Sequence, residues 1–129
     1  MELVFVCKIL LSIHPQFVSK ILTGEKKFEF RRTKTRLVPD RIIIYSTSPV
    51  CKVVGEAEVE EIIIDAPKHV WKITKKFSGI DENYYSEYYD NREIAVAYKL
   101  KNVIEYDVPK ELKDIGVKTA PQSFVYING

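Results

Sequence analysis

A chain of 129 residues is long enough for one domain with a buried core and too short for two, so a single domain over residues 1–129 is expected. With 46% hydrophobic residues and a formal net charge of +2, it is neither a disordered tail nor a histone-like polycation, although a local basic patch fits both figures.

The first apolar run, Val4–Ile13, reads as a strand buried on both faces, or as one leading straight into a helix. The wider stretch Met1–Ile13 is too short to span a bilayer and has no basic leader or cleavage site, which points to a soluble cytoplasmic protein away from membranes. Cys7 and Cys51 sit in strand-like runs and are expected as reduced, buried thiols. Pro15–Leu22 reads as a short amphipathic helix. Proline suits its first turn, Phe17, Val18, Ile21 and Leu22 recur at helical spacing, and Gly24 supplies the stop.

Lys27–Arg32 alternates charge and aromatic, which is strand period. Phe28 and Phe30 share a face turned to the core, and Lys27, Glu29 and Arg31 share a face expected to be exposed. Lys34–Asp40 is a polar connection. Arg41–Tyr45 is a β-branched strand, and Ser46–Pro49 is a turn. Lys52–Ile64 is a long strand region, with a bulge or kink at Gly55. Ala66–Phe77 reads as a helix with Val70, Ile73 and Phe77 on one face, and with Trp71 as a core anchor. Asp81–Asp90 reads as a second short helix. Glu93–Val103 is a strand, Ile104–Leu112 an extended loop around Pro109, and Ser123–Ile127 a last strand. Runs of strands with few crossover helices argue against a doubly wound parallel sheet. The expected fold class is α+β, a small, mostly antiparallel β-barrel with flanking helices.

Charge is concentrated in one place. From Gln16 to Arg36 there are seven basic residues (Lys20, Lys26, Lys27, Arg31, Arg32, Lys34, Arg36) and two acidic ones (Glu25, Glu29), which is +5 locally and leaves −3 for the rest of a chain of net +2. This asymmetry is the footprint of a polyanion-binding patch. Arginine grips phosphate through two parallel hydrogen bonds, and lysine acts as a mobile point charge. The competing reading is a solvated edge strand, whose surface pairs contribute only ~0–1 kcal/mol.

The other clusters carry weaker signals. Tyr84, Tyr85, Tyr88 and Tyr89 make two stripes at helical spacing; one suits a core, the other a nucleic-acid or protein-partner surface. Glu56, Glu58 and Glu60 share a strand face, which allows a divalent-metal site but is commoner as plain surface. His14 and His69 lack the spacing and cysteine partners of a zinc site. No Ser-His-Asp order, P-loop or dinucleotide glycine motif occurs, so neither a metal nor a cofactor is expected.

Gly24-Glu25-Lys26-Lys27-Phe28-Glu29-Phe30-Arg31 matches G-x-K-x-x-E-x-R and resembles the signature of the ASCH domain family. Leu11–Pro15, Ile44–Pro49, Val54–Glu56 and Ala120–Phe124 resemble its flanking elements, so the likeness runs from about Ile9 to Ile127. The resemblance implies a PUA-like barrel with a cleft beside the motif, and an RNA-binding role in translation, RNA processing or transcription. The ligand expected in that cleft is RNA or a nucleotide: Lys26, Arg31 and Arg32 would hold its phosphate, Glu29 would orient Lys26 and Arg31 or accept a hydrogen bond from a base or ribose, and Tyr45 would stack on a base beside Ser46. Gln122 and Ser123 would line the same cleft. Some relatives resemble ribonucleases, and a small group hydrolyses acetylcytidine nucleosides with the lysine matching Lys26. That group has threonine where this chain has Glu29, and its remote glutamate aligns near Ser78. The alternative is therefore a hydrolase of RNA or of a modified nucleoside, with Lys26 and Glu29 as the reacting pair. Glu29 would favour the ammonium form of Lys26, which opposes its use as a base.

Overall fold

The computed structural model describes residues 7–127. The expected first strand therefore begins, for residues 4–6, outside the described part. Within it, β1 (Lys8–Ile13), α1 (Pro15–Thr23), β2 (Phe28–Arg31), β3 (Arg41–Ser46) and β4 (Lys52–Asp65) follow in order. Then come α2 (Pro67–Thr74) with a 3-10 turn at Lys75–Phe77, α3 (Glu82–Tyr88), β5 (Ala95–Lys110), a 3-10 turn at Leu112–Ile115, and β6 (Phe124–Ile127). No described helix is long and apolar enough to cross a membrane.

The six strands form one sheet in the order β2-β5-β4-β3-β1-β6. Among them only β1 and β3 run parallel; the chain passes from one to the other through α1 and β2. The other neighbours are antiparallel. The sheet curls into a half-barrel, and its interior is filled by Ile9, Leu11, Ile13, Ile42, Ile44, Val96, Tyr98 and Leu100. α1 closes one end by adding Val18 and Ile21 to that core, as its period dictates. On the outer side α2 and α3 pack Val70, Tyr85 and Tyr89 against Phe28 and Phe30. The edges β2 and β6 do not pair with each other. Side chains bridge that seam.

Four expectations need correction. The loop expected at Ile104–Leu112 is strand as far as Lys110, because β5 stays paired with the long β4; Val53 lies opposite Lys110. In α2 the buried face is Val70 and Thr74, while Ile73 and Phe77 are exposed. The chain leaves α-helical geometry at Lys75, so Phe77 no longer follows the helical period. Both thiols are free, but Cys51 is exposed in the β3–β4 turn and Cys7 is half-buried just before β1. Finally, of the charged face expected to be exposed, Lys27 is exposed but Glu29 is buried and Arg31 half-buried. Glu29 and Arg31 lie opposite Tyr98 and Val96, two residues of the interior core.

The bulge expected at Gly55 is present: the register of β4 shifts against both β3 and β5 there. A Cβ on Gly55 would stand 2.4 Å from the carbonyl oxygen of Ile104, a backbone atom that cannot move aside without breaking β5. Gly55→Ala is expected to lose about 2–3 kcal/mol of stability by overpacking. Urea denaturation checks this, and an unchanged midpoint would refute it.

Candidate functional site

The open seam between β2 and β6 holds a cleft of about 330 Å³, at the lower end of the roughly 300–1,000 Å³ typical of small-molecule sites. Its walls come from the end of β1 and start of α1 (Ser12, His14, Phe17), the motif segment (Lys26, Glu29, Arg31, Arg32), Thr47, α3 (Tyr84, Tyr88) and the approach to β6 (Gln122, Ser123).

Lys26 is the most unusual of these, being only 2% exposed. Its Nζ donates to the carbonyl oxygen of Ser78 at 2.7 Å and lies over the Phe30 ring at 4.7 Å and the Phe17 ring at 5.5 Å. Gly79 presses on its aliphatic stem: a Cβ there would come within 2.5 Å of Lys26 Cβ. With φ at +70°, Gly79 also has a backbone that L side chains rarely adopt. Burial pushes the Lys26 amine down to about 8, and Lys20 and Arg31 add to the fall; the opposing pull of Glu29 is the smaller effect. Burial of a lysine is not legible in a charged strand, so the sequence shows only the pull of the carboxylate. Ser78, the position expected to match the remote glutamate of the acetylcytidine hydrolases, meets Lys26 with a backbone carbonyl and not a carboxylate.

Arg31 spends most of its donors inside the protein. Nε and Nη2 donate to Glu29 Oε2 at 3.2 and 2.7 Å. Nη2 also donates to the Ser12 carbonyl at 3.0 Å, and Nη1 reaches Ser123 Oγ at 3.4 Å. One guanidinium thus ties β2 to β1 and to the entry of β6 across the unpaired seam. Arg32 is exposed, donates from Nε to the Tyr88 carbonyl at 2.8 Å and stacks 4.3 Å from the Tyr88 ring centroid. Ser12 Oγ donates to the Pro121 carbonyl at 2.6 Å, and Thr47 Oγ1 sits 3.4 Å from His14 Nδ1.

Six of the eight residues expected at the site line the cleft: Lys26, Glu29, Arg31, Arg32, Gln122 and Ser123. Tyr45 and Ser46 do not. Tyr45 packs with Leu10, Ile43 and Val53 in a third apolar cluster, so its ring is not offered to a ligand. Alternation along β3 turns Ser46 to the Ile42–Ile44 face, where it is 2% exposed. The hydroxyl that reaches the cleft is that of Thr47, one residue beyond the strand. His14 and Phe17 signal only a helix start in the sequence; the helix start that they mark is itself a wall of the cleft. The tyrosines split by period: Tyr85 and Tyr89 are buried, and Tyr84 and Tyr88 face the cleft. Glu56, Glu58 and Glu60 are engaged by Arg41, Tyr106, Asn102 and Lys99, and no group of metal-ligating side chains occurs among the described residues.

Comparison with known proteins adds to this geometry. The model of the ASCH domain matches residues 11–104. The large ribosomal subunit protein uL22 of Ureaplasma parvum is 33% identical over 103 residues, which is 80% of this chain and 33% of that protein. An ASCH domain-containing ribonuclease from Zymomonas mobilis is 32% identical over 93 residues, 71% of this chain and 63% of that protein. The chain thus spans about a third to two thirds of the length of these curated relatives. The crystal structure of ASCH from Zymomonas mobilis superposes with a TM-score of 0.86 at 29% identity, covering 94% of this chain and 87% of that one.

Proposed function

The chain belongs to the ASCH domain family, whose PUA-like α+β fold it shares, and we propose that it works in the cytoplasm as a single RNA-binding domain using the seam cleft. The observation that carries this reading is a cleft at the open edge of the half-barrel that combines cations (Lys26, Arg32), rings (Tyr84, Tyr88) and hydroxyls (Ser12, Thr47, Ser123). Phosphates, bases and riboses need those three chemistries. The start of α1 adds the positive end of a helix dipole. That one relative is a ribosomal subunit protein and another a ribonuclease supports the same ligand class.

Binding of labelled single-stranded RNA across a salt series tests it. Affinity is expected to fall steeply with salt, and Arg32→Ala is expected to make that slope shallower by about one phosphate contact. Absence of binding at low salt would overturn the reading.

A second reading, ribonuclease action, is favoured by one observation. An amine held near 8 is partly neutral at physiological pH and can take a proton during phosphodiester cleavage. The two readings have opposite pH dependence. Phosphate held by the Lys26 ammonium is lost as pH rises through about 8, whereas cleavage that uses the neutral amine rises towards about 8 and then levels off. Binding and cleavage measured from pH 6 to 9 therefore separate them. A flat cleavage profile, or equal cleavage by Lys26→Met, would eliminate the enzymatic reading.

A further inference from the structure

Glu29 is the one acidic residue among the described residues of a cleft otherwise lined by cations, rings and neutral groups. Its side chain is only 8% exposed. Both contacts from Arg31 go to the same oxygen, Oε2. No donor among the described residues reaches Oε1, and Lys26 makes no direct ion pair with Glu29, since its Nζ donates to Ser78. No wholly buried side-chain polar atom among the described residues lacks a partner, so Oε1 is open to the cleft that Glu29 lines.

A carboxylate clamped by one oxygen cannot turn away from a ligand. Its free oxygen is an acceptor only. A phosphate placed against it would meet like charge in a poorly hydrated site, and an aliphatic group would strip its water without replacing it. What it accommodates is a hydrogen-bond donor that carries no negative charge. Nucleotides offer two such groups, the N–H donors on base edges and the ribose hydroxyl. Tyr84 stands on the same cleft as a ring on which a base can stack, and the Tyr88 ring beside it already carries the Arg32 guanidinium.

We propose that Glu29 is the specificity residue of this cleft: its open Oε1 accepts a hydrogen bond from the uncharged nucleoside part of the ligand, and leaves the phosphates to Lys26 and Arg32. The proposal rests on the RNA-binding reading and deepens it. It also separates the two carboxylate contacts, one structural through Oε2 to Arg31 and one for recognition through Oε1.

The test uses four pentaribonucleotides, one for each base, at low salt. Each is compared with its 2′-deoxy form and with a form methylated at its base N–H positions. One of these replacements is expected to weaken binding to the wild type about 10- to 100-fold, the range for a hydrogen bond to a charged group. The deoxy arm assigns the ribose hydroxyl and the methylated arm the base edge. In Glu29→Gln, where the Arg31-held oxygen remains and an amide faces the cleft, the same replacement is expected to make no difference. Persistence of the loss in Glu29→Gln would mark it as steric and overturn the proposal. Should that variant fail to fold, a crystal structure of the wild type with the tightest-binding pentaribonucleotide decides: a ligand N–H or ribose hydroxyl within hydrogen-bond distance of Oε1 is expected, and an Oε1 without one overturns the proposal. Ribonucleotide binding indifferent to both replacements overturns the role of Glu29 and leaves RNA binding standing. No binding by any pentaribonucleotide overturns both.

Discussion

Arg31→Met is expected to destabilise the fold by about 3–5 kcal/mol, the loss seen when one partner of a buried ion pair is removed and the other is left behind. Glu29 would keep its buried position without either Arg31 contact, and its side chain has only 8% of its surface in water. The variant also loses the bonds to the Ser12 carbonyl and to Ser123 Oγ, which hold together two sheet edges that share no backbone pairing. Urea unfolding measures the loss. The double variant Arg31→Met with Glu29→Gln separates the two contributions: removing the orphaned charge should recover part of the stability, and the remainder belongs to the seam. A single variant within about 0.5 kcal/mol of wild type, the scale of an ordinary surface substitution, would show that Arg31 is merely a solvated cation.

Lys26→Met should act in the opposite direction on stability while removing function. The folded state holds the Lys26 amine at about 8, below the 10.5 of an unperturbed lysine. Below about pH 8 both states carry the proton, and the folded state bears the full cost of burying it. That cost is about 3 kcal/mol, since each tenfold loss of proton affinity corresponds to roughly 1.4 kcal/mol. As pH rises from 8 towards 10.5 the folded state gives up its proton first, and the cost is relieved. Methionine fills the same channel between Phe17, Phe30 and Gly79 without a charge, but leaves the Ser78 carbonyl without its donor, an offset of about 1–2 kcal/mol. The net expectation is a variant about 1–2 kcal/mol more stable than wild type at pH 7, with the advantage shrinking towards pH 10.5. Affinity for RNA should fall at least about tenfold, the loss of one charge-assisted contact. Thermal unfolding at several pH values and RNA titration at one salt concentration measure the two sides. A residue kept at a cost to stability marks a site selected for function, as is common where activity needs a strained or buried polar group. A less stable variant with unaltered RNA affinity would place Lys26 in the structural framework instead.

Most of the element order is legible because each element carries a strong local signal. The period of Phe17, Val18, Ile21 and Leu22 between Pro15 and Gly24 defines α1, and the alternation from Lys27 to Arg32 defines β2. The signal fails at Ile104–Lys110, where Pro109 and scattered polar residues suggest a loop. The strand persists there through pairing with β4, a partner some fifty residues away that local sequence does not reveal. Lys26, Glu29, Arg31 and Arg32 are identifiable from charge concentration and from the glycine-led motif. The place of Tyr45 is not, because either face of a β-branched strand reads as apolar when both are buried.

By itself the sequence determined that the chain is an α+β domain of the ASCH family with its chemistry gathered at Lys26–Arg32, since composition, period and motif are properties of neighbouring residues. Only the tertiary structure decided what those charges do. The curl of the sheet carries the polar face of β2 inward, against the ends of β1 and β6. There burial lowers the Lys26 amine despite Glu29, Arg31 becomes a clamp across an unpaired seam, and one oxygen of Glu29 is left facing the cleft. Burial and long-range partners set the energy of a charge, and neither is encoded in its immediate neighbours along the chain.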